Sequence, residues 1–325
     1  MKELSFRESI GVAIDEEMAR DPLVFIMGED VGVFGSSHGK LKGLIEKYGP
    51  ERVRDTPIAE DGILGVATGA ALGGMRPIAD IMSCAFLGLA MDTLWDQATV
   101  LRYVSGGQMK IPLTIRTAIG AGGQQDHRHS QTHEGIFMGI PGLKVVIPST
   151  PYDALGLLKT AIRDDSPVLC LEHTQILRKN IKSQIPDEEY LIPLGKADIK
   201  REGSDVTVVA TAYRVHVALA VAQKLAEENI SVEVVDPRSL VPLDKEAILK
   251  SVEKTGRLVT MTEDPRKGSA AALIAAMVAE EGFDLLDAPI KVLGSKDTPL
   301  PYIPPMENFY LPQEEDLIKA IKELM

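Results

Sequence analysis

The chain has 325 residues, of which 45% are hydrophobic and 25% charged, and its formal net charge is −12. This composition is typical of a globular protein that is long enough for two domains. Because an acidic chain repels phosphate backbones and anionic lipids, we expect neither a nucleic-acid partner nor a membrane partner. The N-terminus has no signal-peptide pattern and no apolar stretch reaches membrane-spanning length, so we expect a cytoplasmic location.

Short apolar runs alternate with longer helical patterns, which predicts an α/β fold. Most of the runs are continuously apolar, as in parallel strands that are covered on both faces. The predicted strands are residues 23–27, 77–82, 112–117, 144–148, 168–172, 206–211, 232–236, 258–262 and 290–293. The predicted helices are residues 5–20, 151–163, 215–228, 245–254, 270–281 and 314–324, and one more begins near Glu60.

A charged, proline-containing stretch at residues 180–202 separates two such series. We predict a first domain at residues 1–185, a linker at 186–200 and a second domain at 201–325. Cys84 and Cys170 each lie inside an apolar run, so both should be buried and structural. The cysteine and histidine spacing does not indicate a zinc site.

The segment at residues 55–74 contains Glu60 at a predicted helix start, followed by Gly65, Gly69 and Gly73 on one helix face. Such a glycine stripe lowers helix stability, so it indicates close approach by another backbone. One interpretation is tight packing inside the subunit, with Glu60 only a first-turn acid favoured by the helix dipole. The other is that the segment serves a functional site.

A glycine-rich loop at residues 119–135 carries His127, His129 and His133. His129 and His133 are four residues apart and could share a helix face as metal ligands. A histidine here could instead act as a general acid or base or bind substrate, and a solvated polar loop is the third interpretation. Further along, Asp164 and the carbonyls at a helix end could hold a cation, or the helix could simply stop before Pro167.

These segments and their flanks resemble, nearly end to end, the beta chain of the thiamine-diphosphate-dependent decarboxylating component of 2-oxo acid dehydrogenase complexes. That family includes pyruvate, branched-chain 2-oxo acid and acetoin dehydrogenases. The likeness is carried by MGEDVG at 27–32, RVRDTPIAEDGILGVATGAALGG at 52–74, HSQTHEGIF at 129–137 and VVDPRSLVPLDKEAI at 234–248, among other segments. It implies an N-terminal pyrimidine-binding domain, with a parallel sheet flanked by helices, and a C-terminal transketolase-C-like α/β domain used in assembly.

The resemblance also implies roles for individual residues. The Glu60 carboxyl would hydrogen-bond a pyrimidine nitrogen of thiamine diphosphate and promote loss of the thiazolium proton, and His129 would be the catalytic loop histidine. Phe86 would pack on the pyrimidine ring, the backbone of Ile58 would lie beside it, and Glu29 would join an acid path between paired active sites. A potassium site, built mainly from carbonyls, would use Leu113, Ala161, Ile162, Asp164 and Ser166.

Several positions depart from the usual family pattern. A glutamine is usual at Arg128 and frequent at Leu89, Asp126-His127 is unusual, Cys84-Ala85 replaces an aromatic-polar pair, and Ser166 replaces an asparagine. These changes lie in the loop, the pocket and the cation site. The identity of the substrate therefore stays open, whereas the expectation of thiamine diphosphate as the cofactor is unchanged.

The chain contains no GDG…N segment, through which thiamine enzymes hold magnesium and the diphosphate. A partner alpha chain should supply both, in an assembly of two alpha and two beta chains, and the glycine stripe could let helices of two chains meet. The expected reaction is oxidative decarboxylation of a 2-oxo acid, with pyruvate favoured, and acylation of a lipoyl group on an acyltransferase core. The alternatives are an acetoin dehydrogenase, a split transketolase and a non-catalytic scaffold.

Overall fold

The computed structural model describes residues 1–325, apart from the side chain of His38. The strands are β1 (Lys2–Ser5), β2 (Val24–Gly28), β3 (Val53–Asp55), β4 (Arg76–Ser83), β5 (Thr114–Ile119), β6 (Lys144–Val146), β7 (Val168–His173), β8 (Lys182–Ile185), β9 (Asp198–Arg201), β10 (Val206–Ala210), β11 (Val232–Asp236), β12 (Ser239–Val241), β13 (Leu258–Pro265) and β14 (Lys291–Ser295). The α-helices are α1 (Phe6–Arg20), α2 (Leu44–Tyr48), α3 (Glu60–Leu72), α4 (Leu101–Val104), α5 (Glu134–Met138), α6 (Pro151–Arg163), α7 (Thr174–Arg178), α8 (Tyr213–Ala226), α9 (Lys245–Thr255), α10 (Ala270–Glu281), α11 (Pro304–Tyr310) and α12 (Glu314–Lys322).

The first sheet has the strand order β12-β6-β7-β5-β4-β2-β3, and its neighbouring strands run parallel except at the β12 edge. Strands β2, β5 and β7 are buried along their whole length, as their continuously apolar sequences predict. Helices α1 and α6 pack on one face of the sheet, and α3 packs on the other.

The second sheet has the order β14-β13-β10-β11-β9, with β9 antiparallel at its edge. Helices α8 and α12 cover one face, and α9 and α10 cover the other. Each domain is therefore a three-layer α/β unit, as expected from the alternating pattern.

The boundary region differs in detail from the expectation. Strand β8 pairs with β1, so the chain stays with the first domain to Ile185. Strand β9 begins at Asp198, inside the stretch predicted as linker, because it pairs with β11 of the second sheet. The second domain also returns β12 to the edge of the first sheet, beside β6. Strands this short have no periodicity to read, so the sequence pattern misses them.

Helix α6 spans residues 151–163 as predicted, and it is capped by Thr150, whose hydroxyl accepts a hydrogen bond from the Asp153 backbone N–H at 3.1 Å, with Pro151 in the first turn. Helix α8 starts two residues earlier than predicted, at Tyr213. Cys84 and Cys170 are buried free thiols, as expected. No helix of the described chain has the length and apolar character needed to cross a membrane.

Candidate active site

Four neighbouring parallel strands bring the main predicted residues to one edge of the first sheet. Glu60 starts α3 after β3, Glu29 follows β2, Phe86 lies in the 3-10 segment after β4, and His129 lies in the loop after β5. The carboxyl ends of parallel strands share one sheet edge, where ligands of α/β proteins bind. Segments far apart in sequence thus form one candidate site.

Glu60 is the first residue of α3 and is only 8% exposed. Its carboxylate accepts no hydrogen bond from the other side chains and backbone groups that the structure describes. The N-terminal turn of a helix favours a negative charge, which offsets part of the cost of burying this acid. Glu60 is therefore a buried carboxylate whose hydrogen-bonding capacity is not used within the described chain.

Glu29 lies within electrostatic reach of both Glu60 and His129. Burial raises the pKa of Glu29, the charges of Asp30 and Glu60 raise it further, and His129 opposes them. Gly28 allows this arrangement, because a Cβ there would lie 2.5 Å from the backbone oxygen of Asp80 on β4. The end of β2 can therefore place Glu29 next to Glu60.

The loop histidine is oriented by a neighbouring carboxylate. Asp126 Oδ1 lies 2.8 Å from His129 Nδ1 and also accepts hydrogen bonds from the backbone N–H groups of Arg128 and His129. The side-chain hydrogen bond to His129 is the main reason why the pKa of Asp126 is lowered. With Nδ1 engaged, Nε2 of His129 is the nitrogen left for a ligand. Asp126, which departs from the family pattern, therefore acquires a role that its sequence position did not indicate.

The His129 turn is anchored to the end of β4. The Ser83 hydroxyl donates to the Arg128 carbonyl at 2.7 Å, and the Cys84 thiol donates to the Gln131 carbonyl at 3.0 Å. Burial is the largest cause that raises the pKa of the Cys84 thiol, so it stays protonated and can donate. The strand that leads to Phe86 thus also fixes the backbone on both sides of His129.

A buried charge network lies beneath the site. The Arg116 guanidinium contacts Glu172 at 2.8 Å and Asp80 at 2.7 Å, and Lys40 Nζ lies 2.8 Å from Glu172. Burial alone would raise the pKa of Glu172, but the charges of Arg116 and Lys40 outweigh it and the pKa is lowered. Ser36 donates to Asp80 at 2.8 Å. The network therefore fastens the loop after Glu29 to the sheet, and no local sequence pattern indicates it.

Comparison with known proteins identifies the family of this chain. The model for the transketolase pyrimidine binding domain matches residues 2–180, and the model for the transketolase C-terminal domain matches residues 195–317. The 2-oxoisovalerate dehydrogenase subunit beta of Bacillus subtilis (strain 168) is 45% identical over 325 residues, covering 100% of this chain and 99% of that protein. The chain belongs to the beta-subunit family of 2-oxo acid and acetoin dehydrogenases.

Other members of the family are equally similar. The mitochondrial pyruvate dehydrogenase E1 component subunit beta-1 of Arabidopsis thaliana is 44% identical, covering 99% of this chain and 89% of that protein. The acetoin:2,6-dichlorophenolindophenol oxidoreductase subunit beta of Bacillus subtilis is 44% identical, covering 99% and 97%. A solved split gene transketolase, an inactive beta4 tetramer, has a TM-score of 0.79 at 24% identity over 99% of this chain and 98% of that one. These comparisons confirm the predicted family and the two-domain fold.

The face of α3 that carries the glycine stripe is open in this family member. A Cβ added at Gly65 or Gly69 would meet no atom within 4 Å, so the interpretation of tight packing inside the subunit is wrong for these two glycines. Val66 is 60% exposed on the same helix, and Ile58, just before α3, is 73% exposed. The chain thus presents an uncovered apolar and glycine surface beside Glu60.

The residues predicted to hold potassium meet at the end of α6 and the start of β5. Arg76 donates to the carbonyls of Ile162 at 2.9 Å and Asp164 at 2.6 Å, while Arg102 donates to the Ser166 hydroxyl at 2.7 Å. The carbonyls of Leu113 and Ala161 accept backbone hydrogen bonds from Val168 and Asp164. These oxygens already face the cationic side chains of Arg76 and of Lys144, whose ammonium lies 2.5 Å from Asp164 Oδ2, so potassium binding stays a prediction.

The transition-metal interpretation of the histidine loop gains no support. His133 Nε2 lies 2.7 Å from the side-chain oxygen of Gln131, and His129 is paired with Asp126. Within the described part of the chain, no group of three or more His, Cys, Asp or Glu side chains could hold a metal ion. The loop is therefore better interpreted as a hydrogen-bonded support for His129.

Proposed function

We propose that the chain is the beta subunit of a 2-oxo acid dehydrogenase, which decarboxylates a 2-oxo acid with thiamine diphosphate and passes the acyl group to a lipoyl group. The observation that carries the proposal is the buried Glu60 carboxylate, which accepts no hydrogen bond within the described chain and lies beside Glu29 in a member of this family. When bound, thiamine diphosphate supplies the electron sink for decarboxylation.

The residues at the sheet edge fit the pyrimidine end of the cofactor. We propose that Glu60 hydrogen-bonds a ring nitrogen and holds the proton that passes between them. Phe86, half-buried next to α3, offers its ring for packing and excludes water. Ile58 is 73% exposed, and we propose that its backbone lies beside the ring. His129 Nε2 is the group that would donate a proton to, or orient, the substrate or the lipoyl group.

The diphosphate end would need a second chain. We propose that an alpha chain supplies magnesium and the diphosphate contacts, and that two alpha and two beta chains form the working component together with a lipoyl acyltransferase core. The open surface at Gly65, Val66 and Gly69 supports this proposal, because exposed apolar patches beside a site mark interaction surfaces. The carbonyl cluster at Asp164 is proposed to bind potassium.

The substrate can be tested directly in a complex purified with the alpha chain. We expect release of carbon dioxide from pyruvate or 3-methyl-2-oxobutanoate, and acylation of an isolated lipoyl domain that is added to the assay. Turnover of acetoin alone would place the chain with the acetoin relative, to which its identity is 44%. Transfer of a ketol unit between sugar phosphates, independent of the lipoyl domain, would contradict the proposal.

A non-catalytic scaffold makes a different prediction. It requires that the alpha–beta complex bind no thiamine diphosphate and that Glu60→Gln leave every activity of the complex unchanged. Equilibrium dialysis of the complex against thiamine diphosphate and magnesium distinguishes the two cases. We expect binding at the level of one cofactor for each alpha–beta pair, and its absence would overturn the proposed function.

A further inference from the structure

The loop that carries His129 is held at both ends by carboxylates of the second domain. The backbone N–H of Ala121 donates to Glu263 at 3.1 Å, and that of Gly122 donates to Glu307 at 2.7 Å. At the other end, the N–H of Gly135 donates to Asp264 Oδ2 at 3.0 Å. The second domain therefore contributes directly to the shape of the candidate site, in addition to any role in assembly.

The negative charge of Glu263 is matched by neighbouring basic side chains. Arg214 donates to it at 2.5 and 2.9 Å, and His173 Nε2 lies 3.0 Å from it. Burial alone would raise the pKa of Glu263, but the charges of Arg214 and His173 outweigh it and the pKa is lowered. Glu263 therefore stays ionised throughout the neutral range and holds its end of the loop independently of pH.

Asp264 has a different environment, because it faces the buried Glu134 of the first domain. The Glu134 Oε2 and Asp264 Oδ1 atoms are both buried without a hydrogen-bond partner among the described residues. Burial raises the pKa of both acids, and repulsion from Asp264 raises that of Glu134 further. The pKa of Asp264 reaches about 7.

No cation is among the groups that shift the pKa values of Glu134 and Asp264. Cys84 faces Asp264 from the first domain, and Glu263 adjoins Asp264 on β13. Tyr310 of α11 is also close: burial raises the pKa of Tyr310, and the charge of Asp264 raises it further. The Thr211 hydroxyl, 3.3 Å from Glu134, is the neutral donor on that side. Two buried carboxyls in such a site cannot both ionise readily, so one of them keeps its proton more easily than an exposed acid would.

We propose that Asp264 is a positioning residue for the His129 loop and acts with Glu134 as a carboxyl pair that shares one proton between the two domains. The inference rests on the proposed function for its effect on turnover. With one proton present, β13 and α5 stay together and the Gly135 end of the loop is held. When both groups ionise, their repulsion separates these elements and loosens the loop.

The direction of the pH effect follows from the raised pKa values. An acid whose pKa is higher in the folded state stabilises the closed arrangement fully below its unfolded value, and the effect is lost as the pH rises through its folded value. The contribution from Asp264 therefore declines from acidic pH towards about pH 7 and is absent above it. Turnover that depends on the His129 loop should weaken over the upper part of this window.

The test uses the alpha–beta complex with Asp264→Asn, and with Glu134→Gln as a second variant in case the first does not fold. Asp284→Asn, an exposed acid of the second domain, is the matched control. Hydrogen exchange of residues 119–135 is measured by mass spectrometry from pH 5 to pH 8 and corrected for intrinsic exchange. The rate of 2-oxo acid decarboxylation is measured over the same range.

In the wild-type complex and the control, we expect protection of the loop and kcat to fall together as the pH rises. In Asp264→Asn or Glu134→Gln, the protection should become independent of pH and the alkaline limb of kcat should move upward by about one pH unit or more. Unchanged exchange and pH profiles in both variants would overturn the inference. Because exchange needs no turnover, it tests the carboxyl pair even if the proposed reaction is wrong.

Discussion

The imidazole of His129 lies edge-on to the ring of Phe86, with ring centroids 5.2 Å apart and ring planes 87° apart. The two residues follow adjacent strands, β4 and β5, so the contact ties together two loops at the same sheet edge. On the other side of the ring, Asp126 engages His129 Nδ1. The position of the histidine therefore depends on one aromatic neighbour and one carboxylate neighbour, each of which can be changed separately.

Replacing Phe86 by leucine should weaken cofactor binding and loosen the His129 turn. Edge-to-face aromatic contacts contribute about 0.5–1.5 kcal/mol, so we expect the dissociation constant of thiamine diphosphate in the alpha–beta complex to rise about 2- to 10-fold. Calorimetric titration measures it, and Phe86→Tyr, which keeps the ring, is the control. Equal affinity in the leucine variant and the wild type would show that the ring does not face the cofactor.

Removing the Asp126 side chain should affect turnover more than cofactor binding. Asp126→Ala loses the acceptor that orients His129, and misplacement of a catalytic group by about 1 Å can cost on the order of 100-fold. We expect kcat to fall about 10- to 100-fold, with a smaller loss in Asp126→Asn, which retains an acceptor oxygen. Because the pKa of Asp126 is lowered, chiefly by His129, its contribution is lost only at acidic pH and is constant near neutrality.

The measurement is a kcat determination with saturating cofactor. If Asp126→Ala turned over at the wild-type rate, His129 would not need this orientation.

The buried Lys40 should be important for the stability of the chain. Its ammonium lies 2.8 Å from Glu172, and both side chains are almost fully buried. Breaking a buried pair by removing one partner costs about 3–5 kcal/mol. We expect Lys40→Met to lower the free energy of unfolding by about 3 kcal/mol, the low end of this range, because Arg116 still contacts Glu172. Urea unfolding measures the loss.

The matched control is Lys47→Met, because Lys47 pairs with Asp15 on the surface. We expect little change there, since exposed ion pairs contribute little to stability. Equal stability losses in the two variants would mean that the buried network is not a special support of the site.

The glycine face of α3 gives a prediction with opposite signs for the isolated chain and the complex. Gly69→Ala should stabilise the isolated chain by about 0.5–1 kcal/mol, because alanine favours the helix and meets no atom within 4 Å. If a partner helix packs here, the added methyl group should weaken association with the alpha chain or a second beta chain. Urea unfolding and sedimentation velocity measure the two effects.

Lys250→Ala is the control, because it introduces alanine at an exposed position of a different helix, α9, away from the glycine face. A Gly69→Ala chain that is more stable and assembles normally would rule out close packing at the stripe.

Potassium binding at the end of α6 should appear as a specific stabilisation. At a potassium concentration roughly 100 times the dissociation constant, linkage predicts about 2.7 kcal/mol. We expect a higher melting temperature in potassium chloride than in sodium chloride at the same ionic strength, and loss of the difference in Ser166→Pro, which removes the backbone N–H that donates to Asp164. Identical melting curves of the wild type in the two salts would contradict the site.

The sequence predicts those parts of the fold that have a local pattern. Strands such as β2, β5 and β7 are continuous apolar runs, and this pattern predicts buried parallel strands. The roles of Glu60, Phe86 and His129 came from the family resemblance, because a local pattern cannot distinguish a first-turn acid from a catalytic one.

The missed features all depend on contacts between distant segments. Strand β12 has three residues and pairs with β6, far from it in the chain. Lys40 lies in a loop where a lysine is ordinarily solvated, yet it reaches Glu172 in the core. Asp264 and Glu134 come from different domains, so neither position indicates the other.

The proposed function depends most on Glu60 as the group that exchanges a proton with thiamine diphosphate. The decisive measurement is the rate at which the thiazolium C2 proton exchanges for deuterium in the alpha–beta complex of Glu60→Gln. Because proton transfer by a positioned side chain contributes about 10²–10⁴-fold, we predict a fall of at least about 100-fold, with cofactor affinity nearly unchanged. Exchange within a few-fold of the wild-type rate would contradict the central claim.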